Sequence, residues 1–275
     1  MIIDAHTHIF PKEVAAAMFM NPRLQPSQNL SFYTDATKRG LLASMKEAKI
    51  DYSLVLPVVR APYQFTSTNE FAAEINGKDG IFSFGSIHPD NDDIMDKLTH
   101  IKSLGLKGVK LHPDDQCTFI DDPRYINIIR TCIELDLYVA IHAGIGSSHP
   151  YPVYCPPARA AHMLDLVYAG RHPQKPHIIL CHIGGNDMFD EVERCLVGRN
   201  VYFDLSLSLN RINKIQLLRI IQDHGADRIL FGTDSPWGDQ KQYLEMLHDL
   251  PLFDDEREQI LWRNAAQILE IVKCE

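Results

Sequence analysis

Short apolar segments alternate with amphipathic ones along nearly the whole chain, and this rhythm restricts the fold more than any other feature. Eight strand candidates follow one another: MIIDAHTH, YSLVLPVV, IFSFGSIHP, LKGVKLHP, LYVAIHAG, HIILCHIGG, VYFDLSLS and RILFGTDSP. Between them lie TKRGLLASMKEAK, DDIMDKLTHIKSL, RYINIIRTCIEL, DMFDEVERCLV and INKIQLLRIIQDHG. Their apolar residues recur every three or four positions, as Ile126, Ile129 and Ile133 do, which is the spacing of one buried helical face. Strands that alternate with helices form a parallel sheet covered by those helices. Eight such units need roughly 250 residues to close into a (β/α)8 barrel, and the chain has 275. The expected fold is therefore α/β: a TIM barrel of eight parallel strands, one domain over residues 1–275. Two extra C-terminal helices are expected in DQKQYLEMLHDL and EREQILWRNAAQILEIV. A doubly wound open sheet is the competing architecture, but the GxGxxG turn it usually carries after its first strand is missing.

Hydrophobic residues make up 45% of the chain, enough for a sizeable core. The net charge of −9 comes without any basic block or stripe, which disfavours a nucleic-acid partner. Six scattered cysteines with no CxxC pair read as reduced thiols. Neither a secretory leader nor an apolar run near the ~20 residues that span a bilayer is present, so a cytoplasmic location without a membrane partner is expected. NPRLQPSQNLSFYTD reads as a long loop or lid, and AGIGSSH as a flexible loop.

Polar residues fall where a barrel would use them. Alternation in the first strand places Asp4, His6 and His8 on one face, with Ile3, Ala5 and Thr7 on the other. Two imidazoles about 7 Å apart along a strand can converge on one ion. Reactive groups of a barrel sit at the C-terminal ends of its strands. Those ends carry His6 and His8, His88, Lys110 and His112, His142, His182 and Asp234. Of the thirteen histidines, His100, His162, His172, His224 and His248 fall in helices or loops and are expected at the surface. Imidazole nitrogens with a carboxylate suit a divalent metal, zinc first and manganese second. Such an ion lowers the pKa of a bound water from about 15.7 toward 7. His6, His8, His142 and His182 cannot all join Asp234 on a single ion, which leaves one of them for proton transfer.

The ordered set DAHTH, GVKLHP, AIHAG, CHIGG, FGTDSPW and RNAAQIL resembles the amidohydrolase superfamily over essentially the whole chain. Within it, the chain is similar to the branch of aminocarboxymuconate-semialdehyde decarboxylase and metal-dependent TIM-barrel hydrolases. The resemblance implies metal ligation by His6, His8, His142 and Asp234, with one ion favoured over two. It implies that Asp234 also accepts the proton of the attacking water. His182 would polarise the substrate or move a proton, or hold a second ion as in binuclear relatives. Some branches carbamylate a lysine at the end of the fourth strand, where Lys110 stands. Here Lys110 is expected instead to pair with a carboxylate such as Asp4, because a buried lysine needs such a partner. It also disfavours a TatD-type nuclease, which would carry a glutamate there.

Weaker candidates for substrate contact are His88, His112 and Arg60, whose fork could grip a carboxylate. Tyr151, Tyr154 and Trp237 lie in loops on the same face, and Asn264 reads as a brace for the closing helix. The expected activity is hydrolysis of an ester, lactone or amide of a small molecule, anionic if Arg60 and Lys110 contact it. Non-oxidative decarboxylation of an unsaturated or aromatic carboxylate is the alternative, and a non-catalytic metal-binding barrel the third reading. A homodimer is left open.

Overall fold

The structure is a computed structural model that describes residues 1–20, 31–146, 151–170 and 175–272. His172, Cys274, the SSH of AGIGSSH and residues 21–30 of the expected lid lie outside the described residues. Among those described, nine parallel strand segments run β1 (Ile3–Thr7), β2 (Tyr52–Val55), β3 (Ile81–Ser83), β4 (Gly85–Ser86), β5 (Gly108–Leu111), β6 (Tyr138–Ile141), β7 (Ile178–Leu180), β8 (Tyr202–Asp204) and β9 (Ile229–Leu230). Only Phe84 separates β3 from β4, and together they are the third strand read from the sequence. The order is β1-β2-β3 and then β4 through β9, each pair parallel. Phe84 N donates to Val55 O at 3.0 Å across the break. The last segment meets the first through Ala5 N to Phe231 O at 2.8 Å and Asp234 N to His6 O at 2.8 Å. This is the expected TIM barrel.

The covering helices are α1 (Lys12–Met20), α2 (Lys38–Ala48), α3 (Phe65–Ile75), α4 (Ile94–Ser103), α5 (Pro123–Glu134), α6 (Pro157–Tyr168), α7 (Phe189–Cys195), α8 (Lys214–His224), α9 (Gln240–His248), α10 (Asp254–Glu258) and α11 (Asn264–Leu269). Side-chain caps start several of them: Thr37 for α2, Asp122 before Pro123 for α5, Asn213 for α8 and Asp239 for α9. The two extra helical stretches after the eighth strand of the sequence are present as α9 and the α10–α11 region. No helix among the described residues is long and apolar enough to cross a membrane.

Strand alternation sorts the core into two layers. Ile3, Ala5, Leu54, Phe84, Tyr138 and Ile179 fill the barrel interior, and Ala265, Ile268 and Leu269 of α11 pack against them. Their strand neighbours Val55, Val109, Val139, Ile141 and Leu180 face outward against the helices.

The first strand departs from simple alternation. Asp4 pairs with Ser53 and Thr7 with Val55, so β1 spends three steps where β2 spends two. One extra residue of this kind is a bulge, and it re-aims the side chains beyond it. His6 and His8 consequently turn toward the barrel mouth, whereas Asp4 does not share their face. Its carboxylate accepts from Thr233 N at 3.0 Å, Thr233 Oγ1 at 2.6 Å and Gln240 Nε2 of α9 at 2.8 Å. Burial pushes the Asp4 carboxyl up to about 6.

His224 also differs from expectation, because it is fully buried. Its ring stacks on Phe203 with centroids 4.0 Å apart, Nε2 donates to Val201 O at 2.9 Å, and Nδ1 accepts from Gly198 N at 3.1 Å. That pattern needs the neutral ring, and burial lowers its pKa to about 4. Between that value and the unfolded value near 6.5 the unfolded chain binds the extra proton, so stability rises with pH. His224 is therefore expected to make the protein about 2 kcal/mol less stable at pH 5 than at pH 7. Urea midpoints at both values, for the parent and His224→Gln, check this; an equal pH dependence in the two would refute it.

Candidate metal centre

Two elements far apart in the chain build the centre. The bulged end of β1 delivers His6 and His8, and the turn after β9 delivers Asp234. His6 Nε2 and His8 Nε2 stand 3.1 Å apart, with Asp234 Oδ1 3.1 Å from the first and 2.9 Å from the second. All three residues are buried. Asp234 Oδ1 makes no well-aligned hydrogen bond although it is buried. Ligands at right angles on bonds of about 2.1 Å are separated by about 3.0 Å. Two nitrogens and one carboxylate oxygen that converge with this spacing fit a divalent cation.

The neighbouring strand supplies the support. Asp204, at the end of β8, accepts from His6 Nδ1 at 2.9 Å, which turns Nε2 toward Asp234. A carboxylate behind a ligating imidazole fixes its tautomer and raises its basicity. Asp204 also accepts from the backbone N–H of His182 and of Ser206, both at 3.0 Å. Burial and the Lys110 charge act to lower the His6 pKa, but Asp204, Cys181 and Asp234 lift it well above the ordinary imidazole value. A cation entering the triangle would replace that proton. Burial works to raise the Asp234 carboxyl, yet His6 and His8 hold it well below the usual carboxylate range. Burial lowers the pKa of His8, against the opposing Asp234.

His182 follows β7 with φ of 58°, and Asp234 has φ of 64°. Left-handed backbone at two non-glycine residues is strain of the sort that functional sites retain. His182 Nδ1 meets Ser206 O at 3.1 Å, and its Nε2 lies 3.0 Å from His142 Nδ1. Burial, and then the proximity of His142, keep its pKa well below the ordinary value. His142 lies on the far side of that contact, with Nε2 3.3 Å from Asp114 Oδ2. Among the described residues, the groups whose ligand atoms lie within 4.8 Å of one another are His6–His8–Asp234 and His6–Cys181–Asp204; His142 belongs to neither.

The other candidates scatter. Lys110 does not pair with Asp4; its Nζ lies 3.0 Å from Cys181 Sγ and 3.5 Å from His6 Nε2. Arg60 reaches Asp115 at 3.0 Å and borders the cavity. His112 stacks on His142 with centroids 4.1 Å apart, also at the cavity wall. His88 is not part of that wall, and its Nδ1 accepts from Asp90 N in a local turn. Trp237 packs 5.2 Å from His8 and lines the cavity. Tyr154 N donates to Asp114, Tyr151 is exposed, and Asn264 braces the loop before β9 through Ala226 O and Ile229 O.

Sequence reasoning missed Asp204, Asp114 and Arg211. Asp204 had a signal, since it ends a strand as the candidate ligands do. Asp114 and Arg211 sit in loops, where no periodicity points inward.

These residues open onto a cavity of about 480 Å3. Ile9, Phe10, Val58, Phe71 and Trp237 give it apolar walls, and Arg60, Lys110 and Arg211 bring positive charge. Such a space suits a small molecule with an apolar body and a polar head.

A family model described as Amidohydrolase matches residues 3–271. No curated protein matches the chain by sequence. Solved structures with the same fold include an uncharacterized TIM-barrel protein from Bordetella bronchiseptica, 19% identical with a TM-score of 0.74, covering 98% of this chain and 99% of that one. Another is 2,6-dihydroxybenzoate decarboxylase from Rhizobium, 18% identical with a TM-score of 0.71, covering 98% of both chains. A third is 5-carboxyvanillate decarboxylase from Novosphingobium aromaticivorans, complexed with manganese and 4-hydroxy-3-methoxy-5-nitrobenzoic acid. It is 14% identical with a TM-score of 0.72, covering 98% of this chain and 96% of that one.

Proposed function

The chain belongs to the amidohydrolase family, and from that footing we propose that it is a metal-dependent decarboxylase of a small aromatic or unsaturated carboxylic acid. The observation that carries this reading is the His6–His8–Asp234 triangle at the base of an apolar-walled cavity that Arg60, Lys110 and Arg211 also line. Support comes from the two similar folds whose names specify decarboxylation of hydroxylated aromatic acids.

His6, His8 and Asp234 would hold the ion, with His142 joining from its place beside His182. Zinc and manganese both suit this donor set. When bound, the ion supplies Lewis-acid polarisation of an oxygen ligand and makes a coordinated water acidic. The protein does the rest. Arg60 and Lys110 draw the acid in by charge. Phe10, Phe71 and Trp237 hold the planar body and exclude water, which disfavours a localised carboxylate relative to neutral carbon dioxide and a delocalised carbanion. His182 donates its Nδ1–H to Ser206 O, which leaves the Nε2 lone pair to take up a proton from solvent and pass it to the carbanion carbon, returning the ring to its neutral form.

Hydrolysis of an ester, lactone or amide is the second reading. It is favoured by Asp234 Oδ1, a buried acceptor without a well-aligned partner that could take the proton of an attacking water.

One experiment tests both readings. Chelation is expected to abolish turnover, and zinc or manganese to restore it. Screening the reloaded protein against hydroxybenzoates, muconate-like acids, lactones and esters then separates carbon dioxide release from hydrolysis. Turnover that survives complete metal removal would refute both.

A further inference from the structure

Lys110 is the next-to-last residue of β5, its side chain is buried inside the barrel, and it lines the cavity. Its polar contacts among the described residues are Cys181 Sγ at 3.0 Å and His6 Nε2 at 3.5 Å, and neither is a carboxylate. A buried cation is costly unless an anion faces it. A thiol sulfur is a weak acceptor. The His6 nitrogen belongs to the triangle, so its lone pair is committed once an ion sits there. What remains for the ammonium is whatever enters the cavity.

We propose that Lys110 is an uncarbamylated cation that donates a hydrogen bond to the anionic oxygen of the ligand lying against the His6–His8–Asp234 triangle. This rests on the metal reading above and adds how the ligand's charge is read. The geometry gives the lysine two effects of opposite sign. With no anion in place, a positive charge 3.5 Å from a ligating nitrogen repels a cation in the triangle. With an anion in place, the same charge would attract that anion's oxygen. Metal and anion therefore bind with positive coupling, each improving the site for the other. A neutral ligand gains less from the lysine than an anion does, so the selection is for carboxylates, phenolates and similar oxyanions.

The test uses the manganese-loaded protein with benzoate and fluoride as probes, so it does not depend on finding a substrate. Manganese affinity is measured by chelator competition and probe affinity by calorimetry, for the parent, Lys110→Met and Lys110→Arg. Lys110→Met is expected to weaken benzoate and fluoride binding roughly ten- to hundredfold, the range for a hydrogen bond to a charged group. Manganese binding without anions should be undiminished or tighter in that variant. Lys110→Arg should recover part of the anion affinity. Loss of manganese and probe binding in equal measure would mark the lysine as a ligand or a structural prop and overturn the proposal. A carbamate signal in the carbon-13 spectrum after labelled bicarbonate would overturn it too. Normal metal uptake with unchanged probe affinity in Lys110→Met rejects this inference alone, whereas a parent protein that takes up no metal rejects the metal reading with it.

Discussion

Asp234→Asn is expected to lower kcat/KM by roughly three to four orders of magnitude while the fold persists. In the proposed site Asp234 would serve twice, as a metal ligand and as a proton acceptor. Asp234 Oδ1 completes the triangle with His6 and His8, at 3.1 Å and 2.9 Å, and it is the buried acceptor without a well-aligned partner. An amide keeps the shape but supplies neither the negative charge nor the basicity. Asparagine is also the substitution least disruptive to the backbone, because φ at this position is 64° and asparagine tolerates that region. Metal content, kcat/KM and thermal unfolding, measured together, check the result. A variant with full metal occupancy and parental turnover would remove Asp234 from the centre.

His182→Asn should separate rate from metal. The imidazole does not belong to the His6–His8–Asp234 group, and Ser206 O holds its Nδ1 so that Nε2 faces His142 and the cavity. Burial keeps the ring neutral at physiological pH. Loss of a proton carrier costs about 10²- to 10⁴-fold in kcat. KM and metal content should stay near parental values, and φ of 58° again accommodates asparagine. The N–H of residue 182 would still donate to Asp204, so the support behind His6 survives. If metal leaves together with rate, His182 is a ligand and the proton-transfer role is wrong.

Much of the architecture was legible because strand and helix periods differ and a barrel must present strand ends at one mouth. His6, His8, Lys110, His142, His182 and Asp234 all border the cavity for that reason. Asp4 was misplaced because period-two alternation assumes an unbroken ladder, and the single extra residue in β1 leaves no mark in composition. That displacement also left Lys110 without its expected carboxylate. His224 was misread although its signal was present. It continues the buried stripe Leu217, Ile220 and Ile221 at helical spacing, and that position outweighs the usual exposure of histidine. Asp204 stands at a strand end like the histidines, whereas the Asp114–His142 contact depends on a loop path that no local pattern encodes.

The Asp4 clamp has a consequence for synthesis. It fastens Thr233 and Gln240 onto the first strand, so the seam of the ring forms beside both His6 and Asp234. A nascent chain still short of residue 234 owns the two imidazoles but lacks the carboxylate that closes the triangle around a cation. If the triangle holds an ion as proposed, loading would wait for chains whose last strand has left the ribosome and locked onto the first.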